Sequence, residues 1–272
     1  MTTVTAVLPV RAPLEQAQSR SRRSPAEKSK KGDRVKPGHI FIYSVLMVFL
    51  LNGYLYADEH KVLLREDFNN LAQWKPLFFP KIKKHTEYTI EKEDVNSYLK
   101  AESNASASGI LLNKEFNIYD YPKVKWSWKI NNIYKKGNAA EKSGDDYPIR
   151  VYIIFKYDPA DASFGTKLKY GLAKVIYGEY PPHSSLNYIW GSKTHEKRII
   201  TSPYASQAKM LVLQAGDINA GKWFEEKIDI IEDYKKAFGE DPPSIASLAI
   251  MNDSDNTGES SISYIDFIEV YK

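Results

Sequence analysis

Four carboxylates and one guanidinium carry the chemistry most readily read from this chain. Asp145 and Asp146 stand just before an apolar run, and Arg150 lies inside it. Asp253 and Asp255 belong to the short loop Asp253-Ser254-Asp255-Asn256-Thr257-Gly258. Oxygen-bearing side chains at the first, third and fifth positions, followed by Gly, match the opening of an EF-hand calcium loop. The twelfth position of such a loop supplies a bidentate Glu. Here it is Tyr264, which excludes a self-contained EF-hand. A hard cation would need oxygens from another loop; the alternative is a hairpin turn made by residues that tolerate turn geometry. Two adjacent acids at a strand mouth repel each other unless a cation stands between them. Arg150 is that cation in a structural ion pair. Alternatively Asp145, Asp146, Arg150, Tyr152, Asp253 and Asp255 converge on one sheet edge and grip a sugar or a cation.

Other catalytic patterns are missing. The five His (His39, His60, His85, His183 and His195) show no metal-ligand spacing, and no G-x-S-x-G elbow is present. In "EEKIDIIED", Glu226 and Asp229 are three apart, so an extended strand sends them to opposite faces, with Glu226 on the buried one. That does not make the paired carboxylates of a glycosidase. Trp126 and Trp128 share a face with Val124 and Ile130 and are expected in the core. Trp190, beside a Gly in "YIWG", is expected on a concave surface as a stacking platform.

The elements that must position these residues are short runs of period two, broken by Gly, Pro, Asn and Asp. "KVKWSWKINN" and "YPIRVYIIFKYD" alternate most cleanly; the second sends Ile149, Val151, Ile153 and Phe155 one way and Arg150 and Tyr152 the other. About ten strands are expected, with "HTEYTIEKED" and "SYLKAES" paired around Val95-Asn96. "FGTKLKYGLAKVIYG" and "IEDYKKAFG" read as helices. The expectation is an all-β, antiparallel β-sandwich, jelly-roll-like, with two short helical insertions. The lack of βαβ alternation argues against a parallel sheet.

The 272 residues are 43% hydrophobic and include 19 Tyr and no Cys, which removes disulfides and thiolate chemistry. Lys and Arg number 38 against 34 Asp and Glu, but nine of the basic and three of the acidic residues lie in 1–57, so the remainder is slightly acidic. A nucleic-acid partner is not expected. Residues 1–38 read as a disordered basic leader, with the true start nearer Val35. Residues 39–57 read as a signal peptide ending at Ala57, or as a membrane anchor through 40–57 if uncleaved. The single sandwich domain follows at 58–272, in the periplasm or outside the cell.

Three segments, "KSGDDYPIRVYIIF" (142–155), "LNYIWGSK" (186–193) and "DYKKAFGEDPPSIASLAIMNDSDNTGESSISYIDFI" (233–268), resemble a bacterial family of exported proteins catalogued only as a domain of unknown function. The resemblance implies export and a sandwich fold, and no particular activity. More loosely, "REDFNN…W" (65–74) and Tyr264–Ile268 are similar to the first and last strands of jelly-roll carbohydrate-binding modules. That similarity implies a structural Ca²⁺ held by Glu66 or Asp67 together with Asp266. The reading is therefore an exported, non-catalytic sandwich binding a glycan or similar polar ligand. Its alternatives are a polysaccharide-acting enzyme built on the acidic residues and a structural envelope protein.

Overall fold

The alternation in "KVKWSWKI" is realised in full: Val124, Trp126, Trp128 and Ile130 are all completely buried. Such strands need a second apolar layer, and two sheets supply it. A computed structural model describes residues 60–79, 81–160, 164, 165, 167, 170, 180–193 and 198–272. The strands all belong to one unit, Asp58–Lys272. The expected leader and signal segment lie outside the described residues. No helix among the described residues is long and apolar enough to cross a membrane.

Thirteen strands form the two layers. The six-stranded sheet contains β1 (Val62–Glu66), β3 (Glu87–Glu93), β4 (Asn96–Asn104), β6 (Lys123–Ile130), β11 (Phe224–Asp229) and β13 (Ser260–Tyr271). Its order is β11-β6-β13-β4-β3, with β1 on the free part of β13. The seven-stranded sheet runs β2 (Trp74–Leu77), β5 (Ala107–Asn117), β12 (Ile245–Asp253), β7 (Arg150–Phe155), β8 (Ser184–Gly191), β10 (Ala208–Ala215) and β9 (Ile199–Thr201). Trp126, Trp128, Tyr188 and Trp190 meet between the layers, with ring centroids 5.4–5.9 Å apart. The result is the expected jelly-roll-like β-sandwich.

Three features depart from the expectation. β8 and β10 run parallel, because β9 hairpins back onto β10 and delivers it beside β8 in the same sense. No helix lies among the described residues of that crossing, so the βαβ criterion does not see it. β2 and β9 are additional strands. β2 contains Pro76, which an edge strand tolerates, and β9 has only three residues. One expected helix, α1 (Ile230–Phe238), is present, with the Asp229 side chain accepting from Ile231 N and Glu232 N and Gly239 closing it at φ 78°. The other, 164–178, lies mostly outside the described residues; Phe164, Gly165, Lys167 and Tyr170 are helical.

α1 sits by the Phe155 end of β7: Tyr234 packs on Phe155 at 4.7 Å and its hydroxyl lies 3.1 Å from Ser184 Oγ. The Arg150 end of β7, some 17 Å away at about 3.3 Å per residue, is left to the loops.

The β1–β13 pairing creates a row of charges across the six-stranded sheet. Arg65 and Lys125 flank Glu269 on either side in register. Glu269 is buried and receives Lys125 Nζ at 2.9 Å, Arg65 Nη1 at 3.0 Å and His60 Nε2 at 2.6 Å. Burial alone would raise its pKa; the three donors outweigh burial and hold it down at about 2. An acid whose folded pKa is depressed stabilises the fold above its unfolded value and loses that contribution as pH falls through the folded one. Melting temperatures of the wild type are thus expected to drop between pH 4.5 and about 2, and the Glu269→Gln variant to start lower and drop less. Parallel acid limbs for the two proteins would contradict this.

Candidate functional site

The candidate site begins with the alternation of β7. Because Ile149, Val151 and Ile153 face the core, Arg150 and Tyr152 face outward from the seven-stranded sheet. On neighbouring β12, Met251 is in register with Arg150, and Asp253 lies one step further on the same face. The segment before β7 folds back over this face. Its Tyr147 ring lies 4.7 Å from the Arg150 guanidinium, with Tyr152 at 5.6 Å. Arg150 Nη2 pairs with Asp253 Oδ2.

The second loop closes on the first through its backbone. Asp253 N donates to Tyr147 O, and Tyr147 N donates back to Asp253 Oδ1, both at 3.2 Å. Asp146 accepts from Thr257 N at 2.6 Å and from Asn256 N and Nδ2 at 3.3 and 3.0 Å. Asp145 accepts from the Tyr147 hydroxyl at 2.9 Å. Gly258 takes φ +71° to turn the chain into β13. Gly144 is required for a different reason: a Cβ there would stand 2.6 Å from Asn138 N.

The two loops therefore do meet at one end of the sandwich. Asp145, Asp146, Arg150 and Asp253 are each at most 5% exposed, while Asp255 is exposed and Asn256 half-buried. Three buried acids surround one guanidinium. Burial pushes Asp253 well above the usual carboxylate range in spite of Arg150, and it raises Asp145 and Asp255 as well. The cluster is a network of protein donors and acceptors in which Arg150 Nε is buried without a hydrogen-bond partner, and its rim faces solvent.

Two parts of this end were not anticipated. Tyr204 is 56% exposed, and its hydroxyl donates to Asn256 Oδ1 at 2.7 Å with the Lys142 carbonyl 3.1 Å away. Beneath the cluster, between the sheets, Asn252 is wholly buried. Its amide donates to Ala101 O and Ser263 Oγ and accepts from the hydroxyls of Tyr134 and Ser261. Nothing in the local pattern marks Asn252 or Tyr204: Tyr204 meets Lys142 and Asn256, and Asn252 draws on Ala101 and Tyr134 as well as the nearer Ser261 and Ser263.

The family model described as "Protein of unknown function (DUF3047)" matches residues 72–269. The chain belongs to this family. Both loops of the DUF3047 cluster fall inside the matched stretch, whereas Glu66 and Asp67 precede it. A comparison with curated protein sequences finds no match. Among solved structures, the family 11 carbohydrate-binding module from Clostridium thermocellum, in complex with a beta-1,3-1,4-mixed-linked tetrasaccharide, is similar at 10% identity and a TM-score of 0.37. That alignment covers 78% of this chain and 94% of the module. Crh5 transglycosylase in complex with NAG aligns at 10% identity and a TM-score of 0.38, covering 78% and 86%. Trichoderma harzianum endoglucanase 3 from family GH12 aligns at 6% and 0.36, covering 74% and 99%. At this level the likeness says nothing about a ligand here.

One expectation for this DUF3047 chain needs correction. Trp190 is not a surface platform. It is completely buried, packs at 5.9 Å on Trp128 and 5.7 Å on Phe224, and donates from Nε1 to Gly216 O at 3.0 Å. In β8 its parity matches Leu186 and Tyr188, which sends it inward.

The corner expected to hold calcium carries protein donors. First and last strands lie side by side as expected, Glu66 opposite Ile268. Glu66 accepts from Phe68 N at 2.8 Å and Trp74 Nε1 at 3.1 Å. Arg65 reaches Asp67 at 2.8 Å and lies over Phe267 at 4.3 Å. Asp266 sits at a bulge in β13, where burial raises its pKa and the Arg65 charge opposes that. Arg65 is the cation of this corner. Among the described residues the acidic trio whose oxygens come within 4.8 Å of one another is Asp146, Asp253 and Asp255. There Asp146 is filled by three N–H donors and Asp253 by Arg150. Separately, an apolar cavity of about 370 Å³ lies against Tyr170, Pro181, Ser185 and Ala208. None of the expected site residues lines it.

Glu226 follows the expectation. It lies half-buried on the inner side of β11 and accepts from Trp128 Nε1 at 3.3 Å and Gln214 Nε2 at 2.9 Å.

Proposed function

We propose that the protein is an exported, non-catalytic β-sandwich that binds a glycan at the rim of the carboxylate–arginine cluster. The observation that supports this reading is the convergence of the 142–150 and 252–259 loops, which holds Asp255, Asn256 and Tyr204 together over a rigid base. A preorganised rim of donors and acceptors beside an exposed tyrosine suits sugar hydroxyls and loses little freedom on binding. The alternative of a polysaccharide-acting enzyme has less support. A glycosidic acid pair must reach the scissile bond from either side, and here Asp146 and Asp253 are buried under protein donors. Export rests on the 39–57 segment, and an intact residue 1 on the mature protein would overturn that part.

In this proposal guanidinium takes the place of calcium. Arg65 and Arg150 are the cations of the two acidic places, so millimolar Ca²⁺ or EDTA is expected to leave the melting temperature unchanged. Binding to the folded state alone would raise it, and a rise of several degrees with Ca²⁺ overturns this part. For the glycan, the full chain is titrated with neutral and acidic oligosaccharides. Tyr204→Ala and Asp255→Ala are expected to weaken binding about tenfold, roughly 1.4 kcal/mol, with unchanged melting temperatures. Full affinity in both variants would remove the rim as the site. New reducing ends after prolonged incubation would overturn the non-catalytic reading.

A further inference from the structure

On the opposite face of the sandwich, away from the cluster, three aromatic rings meet on the outside of the six-stranded sheet. Leu99 and Ile265 point into the core, so Tyr98 on β4 and Tyr264 on β13 point outward. Trp223, just before β11, lies against both: its ring centroid is 5.1 Å from Tyr98 and 6.4 Å from Tyr264. Lys129 on β6 is opposite Tyr264 in register. Its ammonium stands 4.8 Å from the Trp223 centroid and 4.5 Å from that of Tyr264.

Two properties separate this group from ordinary surface packing. Trp223 remains 36% exposed, whereas Trp74, Trp126, Trp128 and Trp190 are at most 7% exposed. An indole held by neighbours on one side and open on the other presents a rigid apolar plane. The second property is charge. Lys100 and Lys227 on the same face are paired with Glu102 and Glu225. Lys129 contacts two rings and pairs with no carboxylate among the described residues. A flat apolar plane beside an unneutralised ammonium matches a pyranose that carries an acid group: the C–H face of the sugar stacks on the indole, and the anion meets the lysine.

We infer that Trp223, Tyr98, Tyr264 and Lys129 form a second saccharide-binding surface, selective for acidic sugars such as uronate-containing glycans. The ligand class rests on the glycan reading above; the location does not. The site lies on the other sheet from the Tyr204–Asp255 rim, which makes the two separable.

The test uses the full chain and intrinsic fluorescence. Trp223 is the exposed indole, so its emission reports this surface directly. Titration with an oligouronate is expected to change the emission and to saturate, whereas a neutral cello-oligosaccharide of equal length binds about tenfold more weakly. Trp223→Ala is expected to abolish the fluorescence change and to weaken oligouronate binding about tenfold by calorimetry, with an unchanged melting temperature. Lys129→Met is expected to keep the neutral sugar and lose the preference for the acidic one. Oligouronate binding that survives Trp223→Ala but is lost in Tyr204→Ala overturns this surface and leaves the rim reading intact. Equal affinity for neutral and acidic sugars in the wild type overturns the acid selectivity. No binding of either sugar, in wild type or variants, overturns both this surface and the glycan reading.

Discussion

Replacing Arg150 with leucine is expected to destabilise the folded protein by about 3–5 kcal/mol, the cost of removing one partner of a buried pair. The reason is what it leaves behind. Asp253 is 2% exposed and loses its only guanidinium, with Asp146 and Asp145 still beside it. Because Arg150 lowers the Asp253 pKa, its loss lets that carboxyl rise further and hold a proton to higher pH. An acid whose folded pKa is raised stabilises the fold below its unfolded value, 3.8, and loses that contribution as pH rises through the folded one. The penalty of Arg150→Leu is therefore larger at pH 7 than at pH 5. Urea denaturation at both values measures it. The double variant Arg150→Leu with Asp253→Leu is expected to recover most of the loss, since replacing both members of a buried ion pair is often nearly neutral. A double variant as unstable as the single one would show that the cost lies in packing against Tyr147 and Tyr152, and would sink the electrostatic account.

Trp190→Ala is expected to cost about 3–5 kcal/mol as well, by opening a cavity in the core. That is a large share of the ~5–15 kcal/mol that holds a domain folded. The indole fills the space between Trp128 and Phe224, and its N–H is bonded to Gly216 O. The folded fraction of the variant, measured below its lowered melting temperature, is expected to bind oligosaccharide with wild-type affinity. A stacking platform would behave in the opposite way, with affinity lost and the melting temperature unchanged. The two measurements therefore separate a core residue from a contact residue, and the second outcome would restore Trp190 as a platform.

Much of this fold was legible because it follows from parity. Val124, Trp126, Trp128 and Ile130 were placed inside by alternation alone, and so was Glu226 on the inner side of β11. Gly239, the last residue of "IEDYKKAFG", marked the end of α1. Trp190 was misread although the same rule covered it: the adjacent Gly suggested a concave surface, while parity with Leu186 and Tyr188 pointed inward. The parallel β8–β10 pair left no local trace, because it depends on where β9 turns back.

The candidate site divides in the same way. Residue types and loop positions nominated Asp145, Asp146, Arg150, Asp253 and Asp255, and the loops that carry them do meet. What those carboxylates face was decided by partners about a hundred residues away: Thr257 and Asn256 for Asp146, and Arg150 for Asp253. Glu66 differs: its oxygens serve Phe68 N and Trp74 Nε1, two and eight residues on, whereas the Trp223–Tyr98–Tyr264 group is drawn from three separate elements.

The sequence by itself determined the class of the fold, the burial of most strand residues and the acids that gather at one end. Those depend on period-two patterning and turn chemistry, which act over a few residues. Only the tertiary structure decided that this gathering is a buried, arginine-centred network with an open rim, and that the exposed aromatic surface lies on the opposite sheet. Burial, hydrogen-bond satisfaction and charge neutralisation are properties of neighbours in space, and strand pairing across the whole chain chooses those neighbours.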